Sequence, residues 1–141
     1  MNLYLDTSAL VPLFVTEASS NRCRDLWNDA DLVLCTALGH VEASAALARS
    51  ARAGTLSPEG RAAAAQLLEQ LWSDVTVVPA DQPRLRAASA AALRHGLRGY
   101  DAVHCAAALA VAGPDLVAAT GDLELLAAWR DERLAVVDTN A

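Results

Sequence analysis

The sequence predicts an α/β domain built on a mainly parallel sheet of about five strands. Two observations point there. Short apolar runs rich in Leu and Val alternate with longer alanine-rich stretches along the chain, which is the pattern of strands joined by crossover helices. The length, 141 residues with 54% hydrophobic side chains, suits one domain spanning residues 1–141 and leaves no room for a second core.

Taken in order, Asn2–Leu5 is the first predicted strand, with helices near Ala9–Phe14 and Ser19–Ala30 after it. Leu32–Thr36 is the second strand and leads into helices over His40–Ala53 and Pro58–Trp72. Val75–Val78 is the third, followed by helices over Pro83–His95 and Asp101–Ala112. Leu116–Thr120 is the fourth strand, Leu123–Trp129 a helix, and Leu134–Val137 the fifth strand.

Several boundaries have a local cause. Ser57 offers an N-cap hydroxyl, Pro58 loses nothing by lacking an N–H in a first helical turn, and Ala64, Leu67, Leu68, Leu71 and Trp72 then recur at helical spacing. Gly54 is expected to close the preceding helix in the left-handed region, and Gly113-Pro114 to close the helix that begins near Asp101.

No unbroken apolar run of the ~20 residues a membrane span requires is present, so no membrane segment is expected. The N-terminal residues do not read as an export leader, which makes the cytoplasm the expected location. Cys23, Cys35 and Cys105 include no Cys-x-x-Cys pair and read as reduced, buried small hydrophobes. The net charge of −6 opposes nucleic-acid binding if spread evenly, yet all 11 basic residues are arginine, the side chain suited to forked phosphate contacts.

The residues with chemical potential are carboxylates. Asp6 directly follows the first strand and Asp122 follows the fourth, and a parallel sheet binds ligands beyond the carboxyl ends of its strands. Glu42 and Asp101 fall in the first turns of predicted helices. Taken singly, each acid also fits a helix cap or a favourable place in the helix dipole. Together, all four lie where a parallel sheet would gather them on one edge.

Two carboxylates ~4 Å apart repel by about 4 kcal/mol at an effective dielectric near 20, so such a cluster calls for a cation. An all-oxygen donor set with no His or Cys at zinc spacing suits Mg²⁺. That chemistry is suited to phosphodiester hydrolysis. Ser8 and Thr120 each stand two residues from an acid, where a hydroxyl can orient a carboxylate or simply satisfy a turn.

Four segments resemble the motifs of PIN-domain nucleases. They are Leu5-Asp6-Thr7-Ser8-Ala9-Leu10-Val11, Val41-Glu42-Ala43-Ser44-Ala45-Ala46-Leu47, Tyr100-Asp101-Ala102-Val103-His104-Cys105 with the alanines that follow, and Thr120-Gly121-Asp122-Leu123-Glu124-Leu125-Leu126. Their order and the chain length are similar to the VapC toxins of type II toxin–antitoxin systems. The resemblance implies a three-layer α/β/α sandwich and an Mg²⁺- or Mn²⁺-dependent endoribonuclease acting on RNA. It also implies neutralisation by a VapB-type antitoxin, and a homodimer. By position, Asp6, Glu42, Asp101 and Asp122 match the family's catalytic and metal-holding acids, and Ser8 and Thr120 its supporting hydroxyls.

Arg94 and Arg98, just before Asp101, and Arg49 and Arg52, at the far end of the helix carrying Glu42, are the candidates for RNA phosphate contact. His40 and His104 neighbour Glu42 and Asp101 but are not needed for the chemistry, and His95 suits a helix end. Trp27, Trp72 and Trp129 are expected to face the sheet or a subunit contact. Two other functions are weighed. One is a catalytically inactive PIN-like module that binds RNA or its antitoxin. The other, an aspartyl phosphoacceptor at Asp6, lacks the second acid of Asp-x-Asp because Ser8 stands there.

Overall fold

Strand β1 (Asn2–Leu5) is the middle of the structure, and its alternation explains both layers. In the computed structural model, which describes residues 1–141, Tyr4 points to one side of the sheet and Leu3 and Leu5 to the other, all three fully buried. A strand buried on both faces has to be apolar throughout, as this one is. The sheet order is β3-β2-β1-β4-β5, with β2 Leu32–Thr36, β3 Thr76–Val78, β4 Leu116–Thr120 and β5 Ala135–Asp138. Every pairing is parallel.

Helices cover both faces. On the Tyr4 side lie α5 (Gln82–His95), α6 (Gly99–Ala110) and α7 (Leu123–Asp131), packed on Leu34, Val78, Leu116 and Ala118. On the Leu3 side lie α1 (Thr7–Leu10), α2 (Ser20–Asp29), α3 (Gly39–Arg52) and α4 (Pro58–Trp72), packed on Leu5, Val33 and Ala119. The result is the α/β/α sandwich. No helix is long and apolar enough to cross a membrane.

The alanine bias serves the first of these layers. Ala102, Ala106, Ala107 and Ala108 of α6 are buried, as are Ala88 and Ala91 of α5, so the two helices can approach each other with little side chain between them. Trp129 is fully buried on the same side and meets Tyr4 edge-on, with ring centroids 5.8 Å apart. Trp27 and Trp72 pack at the margin of the opposite core. All three cysteines are free and buried.

Most boundaries fall within two residues of those the sequence predicts, and the departures have local causes. The first helix begins earlier than predicted, at Thr7, because Asp6 itself caps it, and it tightens into a 3-10 turn over Val11–Leu13 around Pro12. Ser57 accepts from the Gly60 N–H with Pro58 in the first turn, and Gly54 takes φ 78°, as expected. The expectation at Gly113 needs correcting. Helix α6 ends at Ala110 with Val111 as its cap, and Gly113 lies beyond it without a left-handed φ.

Candidate active site

The sheet brings Asp6 and Asp122 to the same edge. Leu5 of β1 lies opposite Ala119 of β4, so the residues that follow both strands emerge side by side. Asp6 is only 4% exposed and is held from two directions. Its Oδ1 accepts from Ser8 Oγ at 2.7 Å and from the Ala9 N–H at 3.1 Å, and its Oδ2 accepts from Thr120 Oγ1 at 2.8 Å. Ser8 is itself fixed by the Gly121 N–H, 2.7 Å from its Oγ. Burial pushes the Asp6 carboxyl above the usual range, and these hydrogen bonds oppose that only in part.

Asp122 combines two tasks. Its Oδ1 caps α7 by accepting from the N–H groups of Glu124 at 2.8 Å and Leu125 at 3.0 Å, leaving Oδ2 outside the cap. The capping role the sequence allows is therefore real, and it sets the orientation of the carboxylate at the sheet edge.

Glu42 arrives from the first turn of α3. Its Oε1 accepts from Thr7 Oγ1 at 2.8 Å and pairs with His104 Nε2 at 2.6 Å. Burial works to raise this carboxyl, but the hydrogen bond from His104, with that from Thr7 added, works against it, and Glu42 lies below the usual range.

Asp101, in the first turn of α6, stands three residues before His104 and therefore on the same side of that helix. Burial raises its carboxyl and the negative charge of Asp122 raises it further, with Glu42 adding to the effect. Arg98 lies 3.8 Å from Asp101 and opposes this shift.

The four acids thus share one region, and Asp101 feels the charges of Asp122 and Glu42. No three of the chain's His, Cys, Asp and Glu side chains close into a ready ligand cage, because Asp6 and Glu42 are turned toward donors of their own chain. The donor set nonetheless fits a hard divalent cation. It is oxygen-only among the acids, mutually repulsive, and has Glu42 Oε2 and Asp122 Oδ2 outside the bonds described above.

Sequence reasoning set His104 aside, and it passed over Thr7 and Tyr4. His104 is 2% exposed and touches Glu42 directly, while Tyr4 reaches His104 Nδ1 at 2.9 Å. Two periodicities signal this grouping: Tyr4 stands two residues from Asp6 at strand spacing, and His104 three from Asp101 at helix spacing. His40, by contrast, pairs with Glu69 and packs edge-on against Trp72. His95 bonds Glu132, at the end of α7.

The arginines separate in the same way. Arg49 lines a hollow of about 190 Å³ with Thr7, Val41, Glu42, Ala45 and Tyr100, next to the acids. Arg98 lies beside Asp101. Arg52 lines a different hollow with Leu56 and Arg61, and Arg94 is paired with Glu132 at the far end of α7 from Asp122.

The PIN-domain family model matches residues 3–140. The chain belongs to the PIN-domain family. Within it, the VapC group stands nearby: ribonucleases VapC45 and VapC49 of two Mycobacterium tuberculosis strains are each 39% identical over 123 residues, 87% of this chain and 85% of theirs. Among solved structures, PAE2754 from Pyrobaculum aerophilum superposes with a TM-score of 0.67 at 27% identity, over 91% of this chain and 84% of that one. A chain from a toxin–antitoxin complex of Klebsiella pneumoniae has the same PIN fold at 15% identity, with a TM-score of 0.67 and 97% of both chains covered.

Proposed function

We propose that this protein is a divalent-metal-dependent endoribonuclease, the toxin of a type II toxin–antitoxin pair, acting on RNA in the cytoplasm. The observation that carries the reading is the meeting of Asp6, Glu42, Asp101 and Asp122 at one sheet edge, where burial raises Asp6, and burial with the charges of Asp122 and Glu42 raises Asp101. The 39% identity to proteins named ribonucleases supports the same activity. The likeness to a chain solved in a toxin–antitoxin complex agrees with a VapB-type antitoxin as partner.

Each residue then has a task. The four acids hold Mg²⁺, or Mn²⁺ in its place. Such a cation, when bound, supplies Lewis-acid polarisation of the phosphodiester and neutralises developing charge. Ser8 and Thr120 orient Asp6, Thr7 orients Glu42, and the α7 cap orients Asp122. Arg49 and Arg98 receive phosphate in this reading, which is supported by their position beside Glu42 and Asp101, whereas Arg52 lines a separate hollow and Arg94 is paired with Glu132.

The test is cleavage of a total-RNA pool by the purified protein with Mg²⁺ or Mn²⁺, beside an EDTA control and Asp101→Asn. Cleavage that needs metal and disappears in the variant is the expected result. Undiminished cleavage in EDTA, or by the variant, overturns the metal site. A protein that binds metal and antitoxin yet cuts no RNA is the inactive module instead.

A further inference from the structure

Behind Glu42 runs a chain of hydrogen bonds that reaches back into the core and begins at a backbone amide. The Thr36 N–H donates to the Tyr4 hydroxyl oxygen at 3.3 Å. That hydroxyl lies 2.9 Å from His104 Nδ1, its only other partner. His104 Nε2 lies 2.6 Å from Glu42 Oε1. Tyr4 is fully buried and His104 is 2% exposed, so water does not replace these partners. Trp129 lies edge-on to the Tyr4 ring at 5.8 Å and His104 at 6.0 Å, which holds the phenol in place.

The direction of the chain follows from counting donors. The Tyr4 oxygen already accepts from the backbone, and its one proton has His104 Nδ1 as its acceptor. A ring nitrogen that accepts carries no proton, so the imidazole proton sits on Nε2 and is donated to Glu42. Both donors to Glu42, His104 and Thr7, fall on Oε1, which leaves Oε2 as the oxygen available outside the chain's own bonds.

We infer that Tyr4 and His104 are positioning residues: Tyr4 sets the tautomer of His104, and His104 locks Glu42 with Oε2 presented to the cation. The inference rests on the metal-binding reading above, and extends it to two residues that touch neither substrate nor ion. Losing an orienting partner of this kind lowers metal affinity roughly 10- to 100-fold.

The experiment combines Mn²⁺ titration calorimetry with long-range ¹H–¹⁵N spectra of the histidine rings in EDTA, on the parent, Tyr4→Phe, His104→Gln and His104→Leu. Tyr4→Phe removes one oxygen and keeps the ring, and a thermal melt in EDTA checks that each variant is folded. His104→Gln keeps an N–H donor near the position of Nε2.

In the parent, the His104 ring is expected as the Nε2–H tautomer, and in Tyr4→Phe as a mixture. Mn²⁺ affinity is expected to fall about tenfold or more in Tyr4→Phe and His104→Leu, and to be largely kept in His104→Gln. An Nδ1–H ring in the parent, or folded Tyr4→Phe and His104→Leu proteins that bind Mn²⁺ within twofold of the parent, overturns the relay while leaving the metal site standing. A parent that takes up no Mn²⁺ overturns the metal-binding reading, and the purpose of the relay with it.

Discussion

The acidic edge has two halves that hold the same kind of group by different means. Around Asp6 the partners are hydroxyls, Ser8 and Thr120, with one backbone N–H. Around Glu42 they are an imidazole and one hydroxyl, His104 and Thr7. A hydroxyl can donate to a carboxylate or accept from a carboxylic acid, so the Asp6 half tolerates either state. The Glu42 half favours the ionised state. The shifts agree: burial wins at Asp6 and raises it, while His104 and Thr7 outweigh burial at Glu42 and lower it. Glu42 is therefore charged at little cost, and of the two Asp6 gains more from a neighbouring cation.

The largest effect that probes this difference is loss of either acid. Asp6→Asn and Glu42→Gln are each expected to lower RNA cleavage by about a thousandfold, the several kcal/mol a metal site contributes. Their melting temperatures in EDTA should diverge. Asp6→Asn should match or exceed the parent, since a neutral amide avoids the cost of a buried charge. Glu42→Gln should melt lower, as a charge-assisted bond worth about 1 kcal/mol weakens to a neutral one. Equal shifts in the two melts would show that the halves are not different in kind.

A smaller effect separates the arginines. Arg49→Ala should weaken RNA binding about tenfold and reduce the salt dependence of binding by about one phosphate contact, because Arg49 shares a hollow with Glu42. Arg94→Ala should change neither, because its guanidinium is paired with Glu132 on another part of the surface. Filter binding across a salt series decides between them, and an Arg94 effect as large as that of Arg49 would relocate the RNA path.

These contrasts also show what the sequence could and could not express. The five strands and their faces are legible because hydrophobic periodicity is local, and the acids are legible because all four sit at element boundaries. The pairing of Glu42 with His104 is not, since it joins residues 62 apart on helices of opposite layers, whose first turns come together only at the sheet edge. Tyr4 reads as an ordinary strand residue until the partner 100 positions away is known. The arginines fail for the same reason. Arg49 and Arg52 are three apart on one helix and look alike, and only the neighbouring elements show that one faces Glu42 and the other Arg61. The end of α6 is not legible either: Gly113-Pro114 suggests a helix running to Ala112, but a glycine capable of a left-handed cap need not be the residue that forms one.

The pH dependence of stability in EDTA should carry opposite signs for the two halves. Glu42 lies below its ordinary pKa of 4.5, so its contribution is present above that value and is lost as pH falls through the lowered folded-state pKa. Asp6 lies above its ordinary 3.8, so the folded state binds the extra proton and stability falls as pH rises from 3.8 through the raised value. Between acid and neutral pH, the melting temperature of Asp6→Asn should therefore gain on the parent as pH rises, while that of Glu42→Gln should lose ground. Parallel profiles for the two variants would contradict the assigned causes.

The smallest effect tests how firmly the hydroxyl half is braced. A Cβ at Gly121 would stand 2.8 Å from Asn140 Nδ2, 3.1 Å from Thr139 Oγ1 and 3.5 Å from Ser8 Oγ. The first contact is with the end of an exposed side chain, which can swing away at the cost of its 3.1 Å bond to the Gly121 carbonyl. The second must yield a few tenths of an ångström, and Thr139 is buried with its hydroxyl unpaired, so it loses no hydrogen bond in moving. The third is ordinary contact and leaves Ser8 on Asp6. Gly121 does not have a positive φ, so alanine meets no backbone strain there. Gly121→Ala should then cost about 1 kcal/mol of stability, the low end for overpacking, and lower cleavage by no more than about threefold. A tenfold loss of cleavage with an unchanged melt would mean that Ser8 had been displaced from Asp6, and that the hydroxyl half is the more finely placed of the two.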